Sequence, residues 1–379
     1  MPRRPLLTLL VLALLLACTA CRRRNPNEIR VGAYLSLSGV DSTFGTDTRE
    51  GIALAVDELN GAGGIRGKTV RMIYEDDKST PQEASNKVRQ LIDRDGVVAV
   101  LGEVASSRSL VGGLIANTKK VPMITPSSTA VEVTKRRNWV FRSCFTDAQQ
   151  GEVAARFVRE SLKKTKAGLF YAAQDTYSSG LAGMFKDAFV KLGGEVVVEK
   201  GFQKGETNYT TYLQALKASS AEIYFVPVYY NEIAQIARQA EPLGIPGSMF
   251  VGGDGWDSTN LVEVAGATID GAYFTNHYAP DVPWENSRAF IHAFTTRYGK
   301  PPNSLSAQGY DAAMLLFDAM KRSEVITPDA IQKALASTKD FAGATGTITI
   351  DANHNANKPI VVVAIRDQQF HYFSQLTAH

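Results

Sequence analysis

Histidine and cysteine are scarce in this chain, with five His and three Cys among 379 residues. The His residues, at 277, 292, 354, 371 and 379, are scattered, and none has metal-ligand spacing to another His or to a Cys. Two cysteines sit at the N-terminus, so Cys144 has no partner for an internal disulfide, and a small buried hydrophobe is its default role. The fold must then rely on its core. There is no Gly-x-Ser-x-Gly elbow. The glycine-rich stretch Gly61–Gly67 follows a helical pattern rather than a strand, so it reads as a connection and not as a phosphate loop. Nothing assembles a nucleophile, a base and oxyanion donors, so no enzyme class is indicated. Charge of one sign is also missing: 41 Lys and Arg stand against 38 Asp and Glu, and a net +3 with no aromatic-interleaved basic patch does not suggest nucleic acid. No metal and no cofactor are expected.

The N-terminus carries more. Arg3 and Arg4 precede an apolar run from Leu6 to Ala17, the charge and length of a secretory signal. The run is too short to favour a membrane span. It ends Leu15-Leu16-Ala17-Cys18, which resembles the lipobox of bacterial lipoproteins, with Leu16 unusual for its place. Cys18-Thr19-Ala20-Cys21 offers a competing site without the usual aliphatic residue. Cys18 is the expected acylation site, with Cys21 the alternative. Diacylglycerol on that thiol would hold the protein at a membrane surface.

A chain of 379 residues exceeds one ordinary core, and two domains are expected. Ile29, Val31, Ala33 and Leu35 alternate as in a strand, and Ile52, Ala55, Val56 and Leu59 mark one face of a helix after the loop Ser36–Thr46. Strand and helix patterns then alternate at roughly 25–30 residues per unit, as a parallel sheet covered by helices requires. Val97–Leu101, Val121–Thr125 and Trp139–Phe141 read as strands of one series. A second series begins at Asp147, where Asp147 and Gln150 suggest a capping box. It continues through strands Ala167–Ala172, Ile223–Val228 and Met249–Gly252 and helices Gly180–Leu192 and Glu232–Ala240. No Pro/Ser-rich linker separates the two series, so the lobes share crossovers. The fold class is α/β, in two doubly wound lobes.

Ligands of open α/β sheets bind at the carboxyl ends of strands. Two successive strand ends here are rich in hydroxyls, Ser106-Ser107 and Pro126-Ser127-Ser128-Thr129. Hydroxyls and free N–H groups at helix starts suit an anion such as a carboxylate, although the same residues also serve as caps and turn formers. Gly253-Asp254-Gly255 follows another strand, where its carboxylate can meet an ammonium or merely shape a turn. Tyr229-Tyr230 and Asp175-Thr176-Tyr177 end two more strands and can wall a pocket or simply belong to the sheet.

The chain resembles the periplasmic amino-acid-binding proteins of the branched-chain type, the solute receptors of ATP-driven importers. Gly32–Gly39 with Gly45, Glu50–Gly67, Ser106-Ser107, Pro126–Thr129, Tyr229-Tyr230, Gly253–Gly255 and Gly309–Ala312 match that family in order along nearly the whole chain. The resemblance implies a fold of two Rossmann-like lobes joined by three crossovers, near Thr146–Asp147, His277–Ala279 and Ile350–Ala352. Residues 1–17 would then be a lipoprotein signal, 18–27 a tether, 28–146 with 278–350 the first lobe, and 147–277 with 351–379 the second. Ser106 and Thr129, with backbone near Ser127 and Ser128, would bind an α-carboxylate. Asp254 would neutralise the α-ammonium, where the family usually carries Glu. Phe44 would cover the ligand side chain, and Tyr177 and Tyr229 would contribute from the second lobe. The family's disulfide is absent; its positions fall near Asp77 and Ala105. The resemblance further implies an apolar amino-acid ligand, an ABC permease and ATPase as partners, and a monomer in the cell envelope or periplasm. An amide or aromatic acid as ligand, or a sensory or cell-wall-regulating lipoprotein, are the alternatives.

Overall fold

The computed structural model describes residues 25–378. The N-terminal apolar run, Cys18, Cys21 and most of the tether lie outside the described residues. The first sheet runs β2-β1-β3-β4-β5, all parallel, from β1 (Glu28–Leu35), β2 (Thr69–Asp76), β3 (Ala99–Leu101), β4 (Met123–Thr125) and β5 (Val140–Arg142). Alternation along β1 has a physical outcome. Ile29, Val31, Ala33 and Leu35 all enter one core cluster, with Leu316 and Ile52, while Tyr34 enters the cluster on the opposite face. Each such buried aliphatic contributes about 1.5–3 kcal/mol.

The helices of this lobe are α1 (Ser42–Gly61), α2 (Pro81–Arg89) and α3 (Ser106–Lys119). Helix α2 starts as its sequence suggests, with Thr80 capping the Glu83 N–H and Pro81 in the first turn. Helix α1 begins earlier than the glycine-bearing loop suggests, so Phe44 stands on its first turn rather than in a loop. Gly45 is required there, because a Cβ would lie 2.1 Å from the Ser36 carbonyl oxygen.

The second sheet runs β15-β14-β10-β9-β8-β6-β7. It holds parallel β6 (Lys166–Ala172), β7 (Glu195–Phe202), β8 (Ile223–Phe225), β9 (Phe250–Gly252) and β10 (Tyr273–Asn276), followed by antiparallel β14 (Ile360–Arg366) and β15 (Gln369–Leu376). Its helices are α4 (Asp147–Arg156), α5 (Thr176–Lys191), α6 (Thr210–Lys217), α7 (Tyr230–Ala240) and α8 (Thr259–Ala265). The chain then returns through α9 (Glu285–Tyr298), α10 (Ser304–Arg322) and α11 (Pro328–Ala336) to a small antiparallel sheet of β11 (Phe341–Gly343), β12 (Gly346–Ile350) and β13 (Ala356–Asn357). Both parallel sheets repeat one order, in which the first strand lies between the second and the third. Each therefore has a crevice where the connections diverge, at the carboxyl ends of β1 and β3 and of β6 and β8.

Three expectations need correction. The capping box of α4 is formed by Thr146 and Gln149, one residue before the pair Asp147 and Gln150, because the extended residue is Thr146. Tyr229 and Tyr230 are not strand residues: β8 ends at Phe225, and Tyr229 is the N-cap of α7. The third crossing comes later than Ile350–Ala352. Residues of the Asp351–Asn357 bridge still belong to the first lobe, where the Arg142 N–H donates to the His354 carbonyl (3.1 Å), the Thr134 hydroxyl to Asn355 (2.8 Å), and Ala356 enters the first core. The bridge has no apolar period that would show which core it joins.

Candidate functional site

The strand ends and helix starts of both lobes converge on a narrow cleft that is partly open to solvent. Its first-lobe wall is Phe44 on α1, Val104 and Ser106 at the start of α3, Ser127 and Thr129 after β4, and Leu305 on α10. Its second-lobe wall is Tyr177 on α5, Tyr229 before α7, and Asp254 and Gly255 after β9. Seven of the eight ligand residues expected from the sequence are thus brought together. Ser128 is the exception. Its hydroxyl is turned into the protein, against the carbonyls of Glu103 (3.0 Å) and Val104 (2.8 Å) and the Ser109 hydroxyl (2.7 Å), and its N–H donates to Thr125 Oγ1 (3.0 Å). It holds the loop that presents its two neighbours.

Those neighbours are set up as donors. Ser106 Oγ accepts the Ala130 N–H (3.2 Å) and Ser127 Oγ accepts Gln308 Nε2 (3.0 Å), which leaves each hydroxyl proton free to point elsewhere. Ser106 also opens a 14-residue helix, whose first N–H groups have no intrahelical acceptor. This corner of the cavity suits a carboxylate. Thr129 Oγ1 is buried without a hydrogen bond of ordinary geometry.

The opposite corner carries the negative charge. Asp254 receives Gln150 Nε2 at Oδ1 (2.9 Å) and faces His277 Nε2 at Oδ2 (3.2 Å). Burial pulls the His277 pKa down to about 4 despite that carboxylate, so the imidazole is neutral and donates from Nε2. A second carboxyl, Asp147, lies nearby, fully buried, with neither oxygen hydrogen-bonded. Burial, reinforced by the Asp254 charge, holds its pKa well above the usual carboxylate range and favours the neutral acid. Asp254 is then the one carboxylate lining the cavity and can face a single cation.

Between the two corners the wall is apolar. Tyr177 and Tyr229 stack at 5.1 Å between centroids, and Phe44 meets the Tyr229 ring edge-on at 5.6 Å. The Tyr177 hydroxyl accepts the Gly255 N–H (2.9 Å). Residue 255 must be glycine, because a Cβ would come within 2.9 Å of both tyrosine rings. Closure is direct: the Tyr230 hydroxyl donates to the Val40 carbonyl (2.9 Å) and Ser258 bonds Thr43 (3.2 Å) across the cleft. A wider open groove along Lys135–Asn138 and Ala352–Asn355 gathers nothing from the second sheet, so it does not share this construction. Among the described residues, no group of three or more His, Cys, Asp or Glu is placed to hold a metal ion.

Sequence reasoning missed several residues behind the wall. Arg108, 1% exposed, bonds Asp41 (2.7 Å) and Glu103 (2.9 Å), and Ser36 bridges Glu103 (3.0 Å) and Asp77 (2.8 Å). Burial and the Glu103 charge push the Asp77 carboxyl up, so it carries its proton near neutral pH. This ionic cluster occupies the neighbourhood of Asp77 and Ala105, where the expected family has its disulfide. Gln150 and His277 were missed as well. Their signal is only a polar side chain in an apolar setting, which the sequence cannot separate from a surface residue.

Two α/β lobes that meet over a cleft with a hydroxyl-lined corner, an acidic corner and an aromatic wall have the architecture of a two-lobed solute-binding protein. A family model described as periplasmic binding protein matches residues 28–369, and the chain belongs to that family, which places it outside the cytoplasm. The Leu/Ile/Val-binding protein of Citrobacter freundii is 30% identical over 267 residues, 69% of this chain and 72% of that protein. Leu/Ile/Val-binding protein homolog 3 of Brucella melitensis is 28% identical over 336 residues, 88% of this chain and 89% of that one. The leucine-binding protein LivK of Thermotoga maritima superposes with a TM-score of 0.88 at 34% identity, over 92% of this chain and 99% of that structure. The branched-chain transporter protein LivJ of Streptococcus pneumoniae, solved with isoleucine, gives 0.86 at 31% identity, over 93% and 99%.

Proposed function

We propose that this protein binds a branched-chain or similarly small apolar amino acid between its lobes and delivers it to the permease and ATPase of an ABC importer. One observation carries the reading: hydroxyls and a helix start from one lobe face Asp254 from the other across a narrow cleft walled by aromatic rings. A plain carboxylic acid or an amide fills one corner and leaves Asp254 without a cation, so a zwitterion is the better match. Ser106, Ser127 and Thr129 take the α-carboxylate, Asp254 the α-ammonium, and Phe44, Tyr177, Tyr229 and Leu305 the side chain. One chain supplies both walls, which supports a monomer. The reading assigns no reaction to the site.

A thermal-shift screen of the amino acids and their amides tests the ligand. Ligand at 100 times its dissociation constant adds about 2.7 kcal/mol of stability, and leucine, isoleucine or valine should give the largest shift. Small-angle scattering tests closure, since the crossings absorb the backbone change of a hinge. A saturating ligand should lower the radius of gyration; an unchanged curve would count against delivery by closure and favour a static sensor.

Anchoring is proposed from the sequence Leu15-Leu16-Ala17-Cys18 alone. Cys18→Ser should abolish labelling by a radioactive fatty acid and leave the protein unprocessed or released. Labelling that persists in this variant moves the acylation site to Cys21.

A further inference from the structure

We propose that Gln150 and His277 are positioning residues for the ammonium contact, and that they tie the aim of Asp254 to the chain crossings between the lobes. This inference rests on the reading of the cavity given above. Both oxygens of Asp254 are engaged, Oδ1 by Gln150 (2.9 Å) and Oδ2 by His277 (3.2 Å). Asp has one torsion fewer than Glu and a shorter reach, so its position in the cavity is set largely by what holds its carboxylate.

The holders are not ordinary neighbours. Gln150 lies on the first turn of α4, immediately after the first crossing, and its N–H donates to the Thr146 carbonyl (2.9 Å). That crossing is itself pinned to the carboxylate corner, because the Asp147 N–H donates to the Thr129 carbonyl (2.8 Å). His277 follows β10 at the second crossing. Its ring stacks on Phe145, the residue just before the first crossing, with centroids 3.6 Å apart. Two short links thus tie Asp254 to the crossings: one from Thr129 through Asp147 and the first turn of α4 to Gln150, the other from Phe145 through His277. A change in the angle between the lobes turns the backbone at Thr146–Asp147 and at His277, and so re-aims the one carboxylate that meets the ligand's charge. The ammonium contact is then fully formed only near the closed angle, which gives the closed state its differential affinity. The remaining charged and titratable groups around Asp254 are Asp147, Cys144, Tyr177 and Asp257, with Lys358 beyond His277 and Arg142 beyond Cys144 and Asp147. None of them bonds its oxygens.

A double-mutant cycle on the full-length protein, with L-leucine as probe, separates positioning from structural support. Gln150→Met keeps length and removes the donor; His277→Phe keeps the stack on Phe145 and removes Nε2. Each should weaken leucine binding about tenfold by calorimetry, while His277→Gln, which restores a donor, should recover most of it. In an Asp254→Asn background, followed by ligand-observed NMR titration, each should cost less than twofold. Equal losses in the two backgrounds, or losses below twofold with Asp254 intact, overturn the positioning role alone. A parent protein that binds no amino acid, or keeps its affinity within threefold on Asp254→Asn, overturns the reading of the cavity together with this one.

Discussion

Asp254→Asn is expected to weaken amino-acid binding by about 100- to 5,000-fold while the protein stays folded. A ligand ammonium held between the lobes loses most of its water, and a buried charge that loses its partner costs about 3–5 kcal/mol. The substitution removes the charge and little else. Asn has the same shape, and the neutral His277 ring can present its Nε2 as an acceptor to the new amide by moving its proton to Nδ1, which has no partner in the native protein. Unliganded stability should therefore change by no more than about 1 kcal/mol, the usual worth of a hydrogen bond. Calorimetric titration with leucine and with its deaminated analogue 4-methylpentanoate is the check. The loss should be confined to leucine. A variant within threefold of the parent for leucine would remove Asp254 from the site.

Arg108→Met should destabilise the protein by about 3–5 kcal/mol, because it leaves buried carboxylates without their cation. Asp41, Glu103 and Asp77 are 0–1% exposed around a guanidinium that is itself 1% exposed. With Asp77 protonated, one cation faces two carboxylates, and its removal leaves two uncompensated charges in the core. The loss should appear as a fall in unfolding midpoint of roughly 10 °C, at 2–4 °C per kcal/mol for a lobe of this size. Arg108→Lys should fall between parent and Met, since a single ammonium does not reproduce the fork that reaches Asp41 from Nη1 and Glu103 from Nε. The effect also has a functional arm. Asp41 sits beside Val40 and Thr43, which bond Tyr230 and Ser258 of the other lobe, so Arg108 fixes one lip of the cleft. Urea unfolding of the three proteins decides the matter. A loss below about 1 kcal/mol for Arg108→Met would mean that water reaches the cluster.

Much of this site was legible because strand ends in an α/β sheet are constrained. Hydroxyls, an aromatic pair or an acid between glycines can each be a cap or a turn, but after a short apolar run they fall where an α/β sheet forms the edge of its crevice. Ser106, Ser127, Thr129, Tyr177, Tyr229 and Asp254 all stand at such ends, and all line the cavity. Ser128 shows where that reasoning stops. In an irregular loop no period of 2 or 3.6 fixes which side chain faces the cleft, and the inward choice is made by the Glu103 and Val104 carbonyls that need a donor. The one-residue slip of the α4 cap, from Asp147 to Thr146, has the same origin: adjacent residues of similar capping ability are separated only by the backbone angles that packing imposes.

What the sequence by itself determined is whatever local periodicity encodes. The alternation of β1, the repeated strand–helix spacing and the absence of catalytic or metal constellations led to two α/β lobes and a ligand crevice. Only the tertiary structure decided which distant polar groups meet. Gln150 reaches Asp254 across 104 residues of chain, Ser36 reaches Glu103 across 67, and Ala356 joins the first core rather than the second. The physical reason is that burial converts a polar residue from a solvated surface group into one that must find a partner. Burial is a property of how the lobes pack and close, which no stretch of this chain carries alone.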